Sequence, residues 1–282
     1  MNTRRRGAAG ATLLELLVSL GLGLVLLLAM ATLHARILFL SAETTRAADA
    51  QDTLRIALAV LEYELQHAGY WGLVPDAASI TGRRGDETPL AVTVSGDCGP
   101  NWTIDLDRAV EAWADGWPLA CSPFGGAPPN GGVLVLRRAD VQRSSPDAGV
   151  LQVQTDPWGG RLAAAGEPAD PGAEIRNLVA RAYYVTPRST GDPSRPSLRR
   201  KTLQRGPRVV DEEVVPGIAG IRFELGVDTD PAGTPGYGMP NRFVAPGAAS
   251  GVIRAIRITL RADDPAQMSA TRTITLRNGP AP

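Results

Sequence analysis

Two histidines, two cysteines and one acidic side chain at the head of an apolar run are the first candidates for reactivity in this 282-residue chain. His34 and His67 stand 33 positions apart on what reads as a single helix, so they cannot share a site. That removes a multi-histidine zinc centre and argues against the usual Ser–His and Cys–His dyads. Asp228, Asp230 and Gly233 suggest the start of a calcium loop, but Pro231 interrupts it and no glutamate closes it, so an Asx-type turn is preferred. Asp263-Asp264-Pro265 reads the same way. The cluster Arg199, Arg200, Lys201, Arg205 and Arg208 could touch nucleic acid or an acidic partner, and a charged strand and turn that discourages edge pairing is the simpler reading. No glycine-rich loop follows a strand and opens a helix, so nothing supports nucleotide binding. The expectation is a protein that is not an enzyme and uses neither metal nor cofactor.

Glu15 is different, because its position demands a partner. It heads an almost unbroken apolar run from Leu16 to Leu33. A carboxylate in bilayer hydrocarbon costs roughly 2.5–3.5 kcal/mol on insertion scales, so it needs a counter-charge or a route to the interface. Counted from Ala11 the run is 23 residues, long enough to cross a bilayer. Arg4, Arg5 and Arg6 precede it and place that end in the cytoplasm, which puts the remainder of the chain across the membrane. Two other readings stay open. Ala29-Met30-Ala31 looks like the cleavage site of a secretory signal, although such signals have cores of about 7–15 residues and do not begin on a glutamate. A plain membrane anchor, with Glu15 reaching the cytoplasmic interface, is the other.

The secondary structure around this segment follows from periodicity. No proline occurs before Pro75, and Leu54, Ala57, Leu58, Leu61, Leu65 and Ala68 recur in three- and four-residue steps. One helix is therefore expected from about Thr12 to about His67, stopped by Gly69. Beyond it, alternation predicts strands around 132–137, 150–154, 178–185, 221–225, 256–261 and 271–276, the last two forming a hairpin with a long loop. One apolar face per strand implies an antiparallel sheet covered on one side by the helix. Removing residues 1–10 takes away three arginines and leaves 26 basic against 29 acidic residues, which argues against a polyanion binder driven by long-range charge, and no nucleic-acid partner is expected. Cys98 and Cys121 are expected to pair if this domain lies outside the cytoplasm, the alternative being two unrelated buried thiols. Trp102, Trp113, Trp117 and Phe124 lie in or beside that loop and read as its own small core.

Gly10-Ala11-Thr12-Leu13-Leu14-Glu15-Leu16-Leu17 after a short basic leader resembles the start of type IV prepilins. Ala68, Gly69, Tyr70 and Gly72 at the helix end, and the tract Val214-Val215-Pro216-Gly217-Ile218 leading to Leu225-Gly226-Val227-Asp228, are similar to minor pilins of the PilW kind. The resemblance implies an α+β pilin-like fold: a long N-terminal helix, transmembrane in its first half, packed on an antiparallel β-sheet. It implies a leader over 1–10, a transmembrane and assembly helix over 11–35, and a periplasmic domain over 36–282. A prepilin peptidase would cut between Gly10 and Ala11 and methylate the amine of Ala11, where most of the family has phenylalanine. Glu15 would neutralise the freed amine of a neighbouring subunit during assembly. Implied partners are other minor pilins and the major pilin, the peptidase, the inner-membrane assembly platform and the lipid bilayer. The implied function is structural, in priming pilus assembly and at the fibre tip. A minor pseudopilin of a type II secretion system carries the same motif and is the alternative.

Overall fold

The computed structural model describes residues 12–164 and 166–278, so Gly10 and Ala11 lie outside the described residues. Two compact units divide between Asp49 and Ala50. The helix α1, Leu13–His67, contributes to both. Its bounds match the expected ones. It stops where Gly69 takes a left-handed φ of +73°, in a spot where a Cβ would lie 2.6 Å from the carbonyl oxygen of Asn278.

The second unit holds the end of α1 and two sheets. Strands β1 (Ile80–Thr81), β2 (Val110–Trp113), β3 (Val133–Arg143), β4 (Gln152–Asp156), β5 (Gly159–Ala163), β6 (Glu174–Thr186), β7 (Ser197–Gln204) and β8 (Arg208–Pro216) form the first. Strands β9 (Ile218–Asp228), β10 (Arg242–Val244), β11 (Val252–Ala262) and β12 (Ser269–Thr275) form the second, in the order β10-β9-β11-β12. Pairing is antiparallel throughout except for β1 with β5. The expected hairpin is β11 with β12, with Ile256 opposite Ile274. The architecture is α+β, with one long apolar N-terminal helix and antiparallel-rich sheets.

The helical stripe does the expected covering. Leu54, Ala57, Leu58, Leu61 and Leu65 pack against Leu134, Leu136, Tyr183 and Val185 of the first sheet and against Phe223, Leu225, Ile256 and Ile258 of the second. Burying each leucine contributes about 2 kcal/mol. One polar group is set into this stripe. Glu64 is buried, and its carboxylate accepts from Arg138 Nε at 3.4 Å and from Arg181 Nη1. Arg138 also lies 5.6 Å from the Tyr63 ring centroid. The pair fixes the helix in register on β3 and β6, since a shift along the helix would strand buried charge.

The expectation of a sheet covered on one side is corrected here. Val133, Val135, Ala180, Ala182 and Tyr184 point to the opposite face of the first sheet, and Trp102 with the Cys98–Cys121 disulfide covers them. Trp113, Trp117 and Phe124 pack there too, so the aromatic residues of the cysteine loop serve the sheet's second face rather than a core of their own. This is why Val133 to Leu136 is apolar without interruption: both faces of β3 are buried.

The basic cluster is also reassigned. Strand β7 lies between β6 and β8 and is not an edge. Arg199 Nε donates to Asp211 Oδ1 at 2.6 Å, Arg200 Nη2 to Glu212 Oε2 at 2.7 Å, and Lys201 Nζ lies 2.9 Å from Asp211 Oδ2. The charges form a ladder across two neighbouring strands.

Glu64→Gln should lower the unfolding free energy of the detergent-solubilised chain by about 3 kcal/mol, because two arginines lose their buried counter-charge. Glu62→Gln, which removes the more exposed pair with Arg272, should cost less than about 1 kcal/mol. Urea denaturation of both variants checks the difference.

Candidate functional site

The described residues of the first unit form a helix whose surface is exposed. From Thr12 to Asp49 every residue is exposed, apart from half-buried Gly23. Leucines fill the stretch from Leu13 to Leu28 on all sides, so there is no polar face to turn toward water. The helix is long and apolar enough to cross a membrane. Its few hydroxyls are satisfied locally: Ser19 Oγ donates to the Leu16 carbonyl at 3.0 Å and Thr32 Oγ1 to the Ala29 carbonyl at 2.9 Å. Such back-bonding lets hydroxyls sit in an apolar environment without an external partner.

Glu15 has no such outlet. Among the described residues, nothing donates to its carboxylate and no cation pairs with it. Its backbone is anchored, however. Thr12 precedes the helix, and the Glu15 N–H donates to Thr12 Oγ1 at 3.3 Å and to the Thr12 carbonyl at 3.0 Å. Thr12 is thus the N-cap and Glu15 the third helical residue, the spacing of a capping box with a Ser/Thr first and a Glu/Gln fourth. A carboxylate in a first turn also meets the positive end of the helix dipole, worth about 0.3–1 kcal/mol. This falls short of the roughly 2.5–3.5 kcal/mol cost of burying the charge in hydrocarbon. The Thr12-x-x-Glu15 signature is legible in the sequence, and a reading that attends only to the apolar run passes over it.

The remaining candidates do local work in the second unit. Cys98 and Cys121 form a disulfide. Closing that loop contributes roughly 3.5 kcal/mol in the chain-entropy model. His67 Nδ1 bonds the Tyr63 carbonyl at 2.7 Å and its ring lies 4.4 Å from that of Tyr63. Asp228 organises the loop after β9. Its Oδ1 accepts the Asp230 N–H at 3.0 Å, its Oδ2 accepts the Gly238 N–H at 2.6 Å, and Arg254 Nε lies 3.9 Å from Oδ2. Asp228 and Asp230 therefore make an Asx turn. Among the described residues, no three His, Cys, Asp or Glu side chains gather as metal ligands would.

The cysteine loop is tied down by Tyr184, which donates to Asp211 Oδ2 and accepts the Phe124 N–H at 2.9 Å. Trp117 packs edge-on against the same ring at 4.7 Å. Burial pushes the Tyr184 hydroxyl up from its ordinary 10.0, and the Asp211 carboxylate it donates to pushes it the same way. Comparison with protein families, with characterised proteins and with solved structures returned no match.

The tyrosine carries a pH dependence. Its folded-state value is raised, so the folded chain keeps a proton that the unfolded chain releases above about pH 10. Its stabilising effect is complete below that point and is lost as pH rises toward the folded-state value. Tyr184→Phe should cost about 1–2 kcal/mol near neutrality, through loss of a charge-assisted hydrogen bond. It should also flatten the fall in stability as pH rises above about 10. Urea midpoints across that range check both effects.

Proposed function

We propose that this chain is a structural subunit of a type IV pilus, a minor pilin of the PilW kind, whose apolar helix anchors it in the inner membrane and later packs beside the helices of other subunits. In this reading the globular part is periplasmic, a prepilin peptidase trims the chain after Gly10, and Glu15 pairs with the freed, methylated amine of a neighbour. The subunit takes part in priming assembly and sits with other minor pilins at or near the fibre tip.

The observation that carries the reading is a lone carboxylate in the first turn of a helix whose following leucines are exposed on every side. The pairing has the right sign and size. Opposite charges about 4 Å apart at an effective dielectric of about 20 attract by roughly 4 kcal/mol, comparable to the cost of placing the carboxylate in hydrocarbon. Neither partner is comfortable alone, so each subunit's charge favours the arrival of the next.

The N-cap geometry supplies a second, purely local role for Glu15, and a single substitution separates the two. Glutamine serves a capping box as glutamate does but carries no charge. Glu15→Gln should insert in the membrane at wild-type level and be recovered in sheared fibres at least about tenfold less, since a loss of 1.4 kcal/mol is already tenfold. Wild-type recovery of this variant would leave only the capping role.

A further inference from the structure

A cleft of about 730 Å³ in the second unit opens where its two sheets meet. None of its nine lining residues is acidic. Its polar wall consists of Arg222, Arg261, Thr259, Asn130 and Ser269.

The two arginines share a face by register. Thr259 stands opposite Arg222, and Arg261 stands opposite Gly220. Ile221, Phe223, Ile258 and Leu260 occupy the buried face between them. Arg222 and Arg261 are therefore diagonal neighbours on the outer face, with backbones about 7–8 Å apart. Both are exposed, and neither makes an ion pair or side-chain hydrogen bond among the described residues. Arg257, farther along the same face, shows what an occupied arginine looks like here. Its Nη1 is 3.2 Å from Glu224 Oε2, and its guanidinium lies 3.8 Å from the Phe243 ring centroid.

The floor of the cleft is stitched. The Gly132 N–H donates to the Ile221 carbonyl at 3.0 Å, and the Ile221 N–H donates to the Asn130 carbonyl at 3.3 Å. Gly131, at φ +106°, makes this approach possible, because a Cβ there would lie 2.1 Å from the Ile221 oxygen. The arginines thus stand on a backbone held by hydrogen bonds from both sheets, which limits the ordering that binding must supply.

We propose that this cleft binds a small ligand bearing two or more oxyanion groups, phosphate or carboxylate, with Arg222 and Arg261 each taking one group and Thr259, Asn130 or Ser269 donating to the remaining oxygens. Guanidinium is the side chain best suited to bidentate recognition of such groups. The volume suits a small molecule, for which sites of about 300–1,000 Å³ are usual. The chain's overall charge is close to zero, so binding rests on these two groups and not on a general field.

The test is calorimetric titration of the full detergent-solubilised chain with inorganic pyrophosphate and, separately, with citrate. Saturable one-site binding of either probe is expected, and which of the two binds tells phosphate from carboxylate. The double variant Arg222→Gln, Arg261→Gln should bind that probe at least about tenfold more weakly, from the lost charge-assisted contacts. Arg242→Gln, at another exposed arginine of the same sheet, should bind as wild type does. Both substituted side chains are exposed, and an unchanged thermal midpoint would confirm that the double variant is folded. The proposal is overturned if neither probe binds at millimolar concentration, if the double variant binds normally, or if Arg242→Gln weakens binding equally.

Discussion

An apolar helical surface that its own chain leaves bare has to be covered by something else. That constraint governs this molecule. From Leu13 to Leu28 the helix offers leucine on every side, and as far as Asp49 the described residues leave it exposed, whereas from Ala50 onward the helix buries a stripe of leucines between two sheets. The change is written in composition. Before Leu33 polar residues are almost absent, and those that carry hydroxyls bond their own backbone. After Ala50 the buried leucines follow one face, and most of the charged side chains lie on the other.

Each half of the helix carries one consequential glutamate, and the two meet opposite circumstances. Glu64 is enclosed by Arg138 and Arg181, so its charge is answered within the chain and serves to fix register. Among the described residues, Glu15 is answered by nothing beyond the end of its own helix. A buried charge with internal partners is a device of folding. One that lacks them among the described residues, on an exposed apolar helix, is what the proposed pairing with a neighbouring subunit would answer. The functional proposal rests on that contrast.

Much of this was legible in the sequence. The helix bounds, the stripe at Leu54, Leu58, Leu61 and Leu65 and the β11–β12 hairpin follow from periodicity and a glycine stop, and the disulfide was expected on the condition that its domain lies outside the cytoplasm. What escaped the reading has a shared cause, which is burial of charge. Strands β7 and β8 show no clean alternation of apolar and polar residues, because Arg199, Arg200 and Lys201 are satisfied by Asp211 and Glu212 on the neighbouring strand. Arg137 is fully buried beneath the cysteine loop, donating to the Trp102 carbonyl at 2.9 Å and to Glu111 at 3.1 Å, and burial holds it below its ordinary arginine value. A sequence pattern treats such a residue as solvent-facing, so the second covered face of the first sheet could not be seen from it. The outward arginines of the cleft were hidden for the converse reason: only the register of β9 against β11 brings Arg222 and Arg261 together.

The first eleven residues hold the remaining question, because the charge proposed to meet Glu15 is made only when the chain is cut. The most direct measurement is the N-terminal peptide mass of the chain recovered from membranes and from sheared fibres. The expected species begins at Ala11, bears one added methyl on its amine and keeps the apolar helix with Glu15 intact. A species beginning at Thr32, with the helix lost, would contradict both the anchor and the pairing.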